Sequence, residues 1–196
     1  MSLSAKYSRR KFMQITAVAT AAGPMVACVG SLSPWRCLNQ DEARTLEAIC
    51  EWIIPADQDP GAAWAGVVTY IDRQLTGPYR KLRKTYRLGI AGTNATSLAL
   101  FGQPFAALTS TQQDSVLQTM DNGQAMGDHW KQVSAKSFFD LVLSHAMQGF
   151  YGDPRHGGNR ERVSWKMLGL PYPPVRGRTS QGARDWELGK NHGGAH

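Results

Sequence analysis

Five histidines, three cysteines and one short polar loop hold most of the side chains that could do chemistry in this 196-residue chain. Asp153, His156, Asn159 and Glu161 gather around Gly157-Gly158 and form the closest approach to a polar constellation. A carboxylate, an imidazole and an amide can ligate a metal, but this spacing matches no standard ligand pattern. His129, His145, His156, His192 and His196 contain no i, i+4 pair and no H-E-x-x-H. Gly157-Gly158 lacks the following Lys-Ser/Thr of a phosphate cradle, and neither G-x-G-x-x-G nor G-x-S-x-G occurs. There is no C-x-x-C pair and no C-x-x-C-H, so neither a zinc site nor c-type haem attachment is encoded. No catalytic centre, metal or cofactor is expected in this chain. A free-standing periplasmic enzyme or metal-binding protein using Asp153 and His156 stands as the alternative.

The clearest message is an address. Arg9-Arg10-Lys11-Phe12-Met13, preceded by Ser8, resembles a twin-arginine (Tat) signal, in which two arginines precede a variable residue and Phe. A weakly apolar stretch rich in Ala, Thr and Val follows to Cys28, completing a basic start, short apolar middle and small-residue end. No apolar run reaches the 18 or so residues that span a bilayer. Residues 1–28 are therefore expected to be an export signal read by the Tat translocase, which moves folded proteins into the periplasm.

That compartment bears on the cysteines. Cys28 follows Met25-Val26-Ala27, an imperfect lipobox, and is a candidate for lipidation and membrane attachment. Cys37 and Cys50 then remain as an even pair in an oxidising space, where a disulfide can form. The plainer reading keeps them as free thiols, with Cys50 a small core residue.

The formal net charge is +7, and the sequence pI is near 9.5. Lys6, Arg9, Arg10 and Lys11 supply four of those charges, so the basicity is largely terminal. A second concentration, Arg73, Arg80, Lys81, Arg83, Lys84 and Arg87, reads first as a solvated helix face. An acidic protein or anionic lipid is its alternative partner. Nucleic acid is not expected behind an export signal.

The elements that must carry these residues are helices. Leu46, Ile49, Cys50, Ile53 and Ile54 recur at helical spacing behind Asn39 and Glu42, a capping-box start, and Pro55 stops the run. The pattern predicts a second helix over 62–75, burying Val67, Tyr70, Ile71 and Leu75. A third runs through Tyr79, Leu82, Tyr86 and Ile90. A fourth begins near Thr109 with Gln112 in its cap and buries Val116, Leu117 and Met120. A fifth begins near Ser134 and buries Phe138, Phe139, Leu141, Val142 and Ala146. The expected fold is all-α: a small single-domain helical bundle over 29–173 with long irregular loops and an irregular C-terminal tail over 174–196.

Three stretches then carry a resemblance. They are Asp41-Glu42-Ala43-Arg44-Thr45-Leu46 leading into Ile53-Ile54-Pro55-Ala56-Asp57; Pro60-Gly61-Ala62 through Tyr70-Ile71-Asp72-Arg73-Gln74-Leu75; and Gly149-Phe150-Tyr151-Gly152-Asp153-Pro154-Arg155-His156-Gly157-Gly158-Asn159 with Trp165, Gly169 and Pro171. Together these resemble gluconate 2-dehydrogenase subunit 3, the small, signal-bearing subunit of sugar and sugar-acid dehydrogenase complexes. His156 departs from the pattern, standing where an aromatic is usual. The resemblance implies a non-catalytic chain bound to a large FAD-containing flavoprotein of the glucose-methanol-choline type, with a c-type cytochrome taking electrons onward. The large subunit would travel on the small subunit's signal.

The third stretch is the expected recognition segment, through Phe150, Tyr151, Asp153, Arg155, His156, Asn159 and Trp165. Aromatics and arginine dominate interface hot spots, and Asp153-Pro154 can fix the turn that presents them. The alternative is that Phe150 and Trp165 close the chain's own core. A structural lipoprotein held by Cys28 is the remaining reading.

Overall fold

The computed structural model describes residues 34–170. Arg9, Arg10, Phe12 and Cys28 of the expected signal lie outside the described residues, as does the segment 174–196. Among the described residues there are seven α-helices and no strand. They are α1 (Gln40–Ile53), α2 (Ala62–Ala65), α3 (Val67–Thr76), α4 (Arg83–Phe101), α5 (Ser110–Asp121), α6 (Ala135–Tyr151) and α7 (Val163–Met167). The all-α expectation holds.

Local chemistry sets the boundaries. Asn39 accepts the Glu42 N–H at 2.8 Å while the Glu42 carboxylate accepts the Asn39 N–H at 2.8 Å, closing the capping box of α1. Thr109 and Gln112 make the same reciprocal pair ahead of α5, and the Ser134 hydroxyl accepts the Ser137 N–H to open α6. Each such cap satisfies donors the helix leaves orphaned and contributes about 1 kcal/mol.

Two expected helices differ from the pattern. The run 62–75 is broken at Gly66, which takes a left-handed φ of 76° and joins α2 to α3. A Cβ at this position would sit 3.1 Å from the Gly157 carbonyl oxygen, so strain and crowding both favour glycine. The helix expected through Ile90 is preceded by a 3-10 turn, Arg80–Leu82, and continues as α4 to Phe101. Gly89 and Gly92 allow it to pack closely. A Cβ at Gly89 would collide with the Phe138 ring, and one at Gly92 would stand 2.7 Å from the Trp130 ring.

The core is built around α6, which packs against α1, α3, α4 and α5. Phe138, Val142, Ala146 and Phe150 of α6 are buried among Leu46 and Ile49 of α1, Ile71 and Leu75 of α3, Tyr86 and Ile90 of α4, and Val116, Leu117 and Met120 of α5. Truncating Phe138 to Ala would open the centre of this cluster at a cost of about 3–5 kcal/mol. Leu141, expected in the core, is only half-buried, whereas His145 is buried.

Cys37 and Cys50 are free thiols, which corrects the expected bridge. Cys50 lies in the third turn of α1, about 15 Å along the axis from its start. The backbone at Cys37 is fastened instead to Asp72 of α3.

Candidate partner-binding faces

The recognition segment starts where α6 ends. Phe150 is buried, with its ring edge-on to Tyr151 at 5.0 Å. The chain then turns at Asp153, whose carboxylate accepts the Arg155 N–H at 3.0 Å and pairs with the Arg155 guanidinium at 2.6 Å. The backbone comes back against α6 so tightly that a Cβ on Gly158 would collide with the Gly149 carbonyl. Asn159 is fully buried in a left-handed conformation, φ 46°. It donates from Nδ2 to the Gly152 carbonyl at 2.8 Å and accepts the Ser164 N–H on Oδ1 at 3.1 Å, tying α6 to α7. Trp165 closes the loop by donating its indole N–H to the Tyr151 carbonyl at 2.8 Å.

Three of the expected contact residues therefore face inward. Phe150, Asn159 and Trp165 spend their surface and hydrogen bonds on the chain's own fold, so their assignment to a partner is corrected. Asp153 is partly covered and engaged by Arg155. Tyr151, Arg155 and His156 remain exposed. Among the described residues no three His, Cys, Asp or Glu side chains come together as metal ligands.

The two flanks of α6 differ in character. One flank is polar and aromatic. The His145 ring stacks on Tyr79 at 4.4 Å, and its Nδ1 shares a 2.8 Å hydrogen bond with the Tyr86 hydroxyl. Gln148 Oε1 accepts the hydroxyls of Tyr70 and Tyr79 at 3.0 and 2.8 Å. Burial lowers the His145 pKa from its ordinary value and pushes the Tyr70 phenol up to about 12, helped by the Tyr79 hydroxyl, so both groups are held neutral near pH 7.

The other flank is apolar and uncovered in the free chain. Leu143, Met147 and Tyr151 are spaced i, i+4, i+8 and are 38%, 43% and 39% exposed. Phe139 lies one turn before Leu143 on this line and takes the edge of Trp52 at 6.2 Å. Trp64, 40% exposed, carries the Arg160 guanidinium over its ring at 5.7 Å. Helix periodicity could have located this strip, because α6 carries apolar residues over more of its circumference than a single core contact needs.

A shallow open depression of about 330 Å³ lies between α1 and the start of α2, lined by Arg44, Glu47, Glu51 and Ala63 among others. Its Glu51 carboxylate already accepts the N–H groups of Ala56 and Ala63. Burial, with the nearby Glu51 charge, raises the Glu47 pKa. The lining offers little enclosure for a small molecule. Among the described residues no helix is long and apolar enough to cross a membrane.

The described residues form an all-helical domain whose central helix carries an outward apolar strip. The chain belongs to the gluconate 2-dehydrogenase subunit 3 family, whose model matches residues 40–171, from the first residue of α1 to just past α7. That family is one of dehydrogenase-complex subunits, so a dehydrogenase is the implied partner. No curated protein and no solved structure matches the chain.

Proposed function

We propose that this chain is the non-catalytic small subunit of an exported, FAD-dependent carbohydrate dehydrogenase, and that it binds the flavoprotein subunit through Leu143, Met147 and Tyr151. The single observation that carries the reading is that apolar strip. Burying it against a partner would stabilise a complex at about 25 cal/mol per Å² of apolar surface before the costs of association. The partner holds FAD and oxidises a CH–OH group of a sugar, sugar acid or glycoside, and a c-type cytochrome receives the electrons. This chain supplies a rigid helical face and the Arg9-Arg10-x-Phe12 signal, on which the folded pair passes through the Tat translocase to the periplasm. Membrane association, through Cys28 or through the complex, follows from the same signal region.

The test is isolation of the tagged full chain from the periplasm, with a protein gel and an absorption spectrum. A second chain carrying flavin bands is expected. Met147→Glu places a charge at the centre of the strip; it should keep the helical spectrum and lose the flavoprotein. Retention of the flavoprotein by a folded Met147→Glu chain would place the interface elsewhere, and isolation of the chain alone would contradict the subunit reading.

A further inference from the structure

The cations at the start of α4 form one face. Arg80, Arg83, Lys84 and Arg87 recur at i, i+3, i+4 and i+7, and all are exposed, as is Lys81 beside them. Like charges at these spacings repel one another. No acidic residue stands in the first turn of α4 or in the 3-10 turn before it. None of the ion pairs among the described residues involves any of these cations.

The Asp72 carboxylate does not pair with them. Asp72 is 3% exposed and turns inward, where it accepts the backbone N–H groups of Arg36, Cys37 and Leu38. Arg83 and Arg87 lie close enough to act electrostatically on the Cys37 thiol, as do the carboxylates of Asp72 and Glu42, so the basic face reaches the segment that Asp72 holds, in which Arg36 is exposed. Among the described residues, Arg83 is the one of these cations with a side-chain hydrogen bond, its Nε donating to the Leu75 carbonyl at 2.6 Å.

We infer that this basic face docks against an acidic protein surface, a cluster of Asp and Glu carboxylates on the dehydrogenase subunit. The inference rests on the subunit reading above and adds a second, electrostatic contact to the apolar one. Composition favours protein over lipid. Arg36, Arg80, Arg83 and Arg87 outnumber Lys81 and Lys84, and guanidinium matches carboxylates in planar, bidentate pairs. A membrane-surface patch couples cations to apolar side chains that enter the lipid. Here no large hydrophobic residue between Trp64 and Leu98 is exposed. Arranging opposite potentials across an interface speeds encounter and fixes its register.

The experiment measures binding of the full chain to the purified flavoprotein subunit across a salt series, for the unaltered chain and for Arg80→Glu/Lys84→Glu/Arg87→Glu. Among the described residues these three side chains make no hydrogen bond or ion pair, and their reversal removes repulsion, so the melting temperature should hold or rise. The unaltered chain should lose at least about tenfold in affinity between low and moderately high salt as the charges are screened. The triple variant should bind at least about tenfold more weakly at low salt, with a flattened salt dependence. The Gln version of the same triple should fall between the two. Unchanged affinity and salt dependence in a folded triple variant would overturn the inference while leaving the apolar contact standing. Binding of the unaltered chain to phosphatidylglycerol vesicles, lost in the triple variant with flavoprotein affinity unchanged, would overturn it in favour of lipid. Absence of flavoprotein binding by the unaltered chain at every salt would instead refute the subunit reading, and this face's partner with it.

Discussion

Asp72 holds Cys37 from 35 residues away, its Oδ1 accepting the Cys37 backbone N–H at 2.8 Å. The same carboxylate takes the amides of Arg36 at 2.8 Å and Leu38 at 3.0 Å. The segment immediately ahead of α1 is thus fixed only when α3 has formed and packed. Asp72→Asn substitutes a donor for one of the accepting oxygens and removes the charge, and loss of bonds of this kind costs about 1–3 kcal/mol. Thermal denaturation should show a lower midpoint, and hydrogen exchange should show the amides of 36–38 losing protection first. Unchanged protection there would mean that the carboxylate does not anchor the segment.

The buried imidazole of His145 gives a pH dependence with a definite sign. Its folded pKa is lowered from the ordinary value of 6.5, because burial penalises the charged ring. Below that ordinary value the unfolded chain binds more protons than the folded one, so stability falls as pH drops. The loss begins near pH 6.5 and levels off below the folded pKa. Denaturant titrations at a series of pH values should show this slope, and His145→Gln should flatten it. An equal slope in the variant would place the titration on another group.

The two free thiols should differ in reactivity. Cys37 is partly exposed, and burial raises its pKa despite the opposing charge of Arg83. Cys50 is fully buried and its pKa is raised much further. The thiolate is the reacting form, so an alkylating reagent followed by mass spectrometry should label Cys37 slowly in the native protein and Cys50 only after unfolding. A mass two units lower, with neither site labelled, would indicate a disulfide.

Close backbone approach makes Gly158 sensitive. A methyl group there meets the Gly149 carbonyl, which is backbone and cannot rotate away. Gly158→Ala should destabilise the domain by about 1–3 kcal/mol through overpacking. Gly102, with a φ of 70° and open space around its missing Cβ, isolates conformational strain without a clash. Gly102→Ala should cost about 1 kcal/mol. Chemical denaturation of the two variants separates the effects, and equal losses would contradict the close packing of the 157–159 turn on α6.

Helix starts were legible because their chemistry is local. Asn39 with Glu42 and Thr109 with Gln112 satisfy each other across three residues, a distance that sequence displays directly. The break at Gly66 was not legible, since it answers to the Gly157 carbonyl far along the chain. The second half of α4 was hidden as well. Its Gly, Thr, Asn and Ser residues have weak helix propensity, and neighbouring rings over Gly89 and Gly92 compensate by packing. In the sequence Asp72 stands out only as part of the second family-like stretch, next to Arg73. Its inward turn depends on where segment 36–38 lies. Phe150, Asn159 and Trp165 had the composition of an interface, but burial decides whether such residues face a partner or the core, and composition does not encode burial.

Replacing Arg9 and Arg10 by Lys decides whether this chain carries a folded flavoprotein across the membrane, as proposed above. Cells expressing this variant with the flavoprotein subunit would be fractionated, and flavin-dependent sugar or sugar-acid oxidation measured in periplasm and cytoplasm. The activity and both chains should stay in the cytoplasm, still bound to each other. Normal arrival of the flavoprotein in the periplasm, while this chain is left behind, would contradict that carrier role.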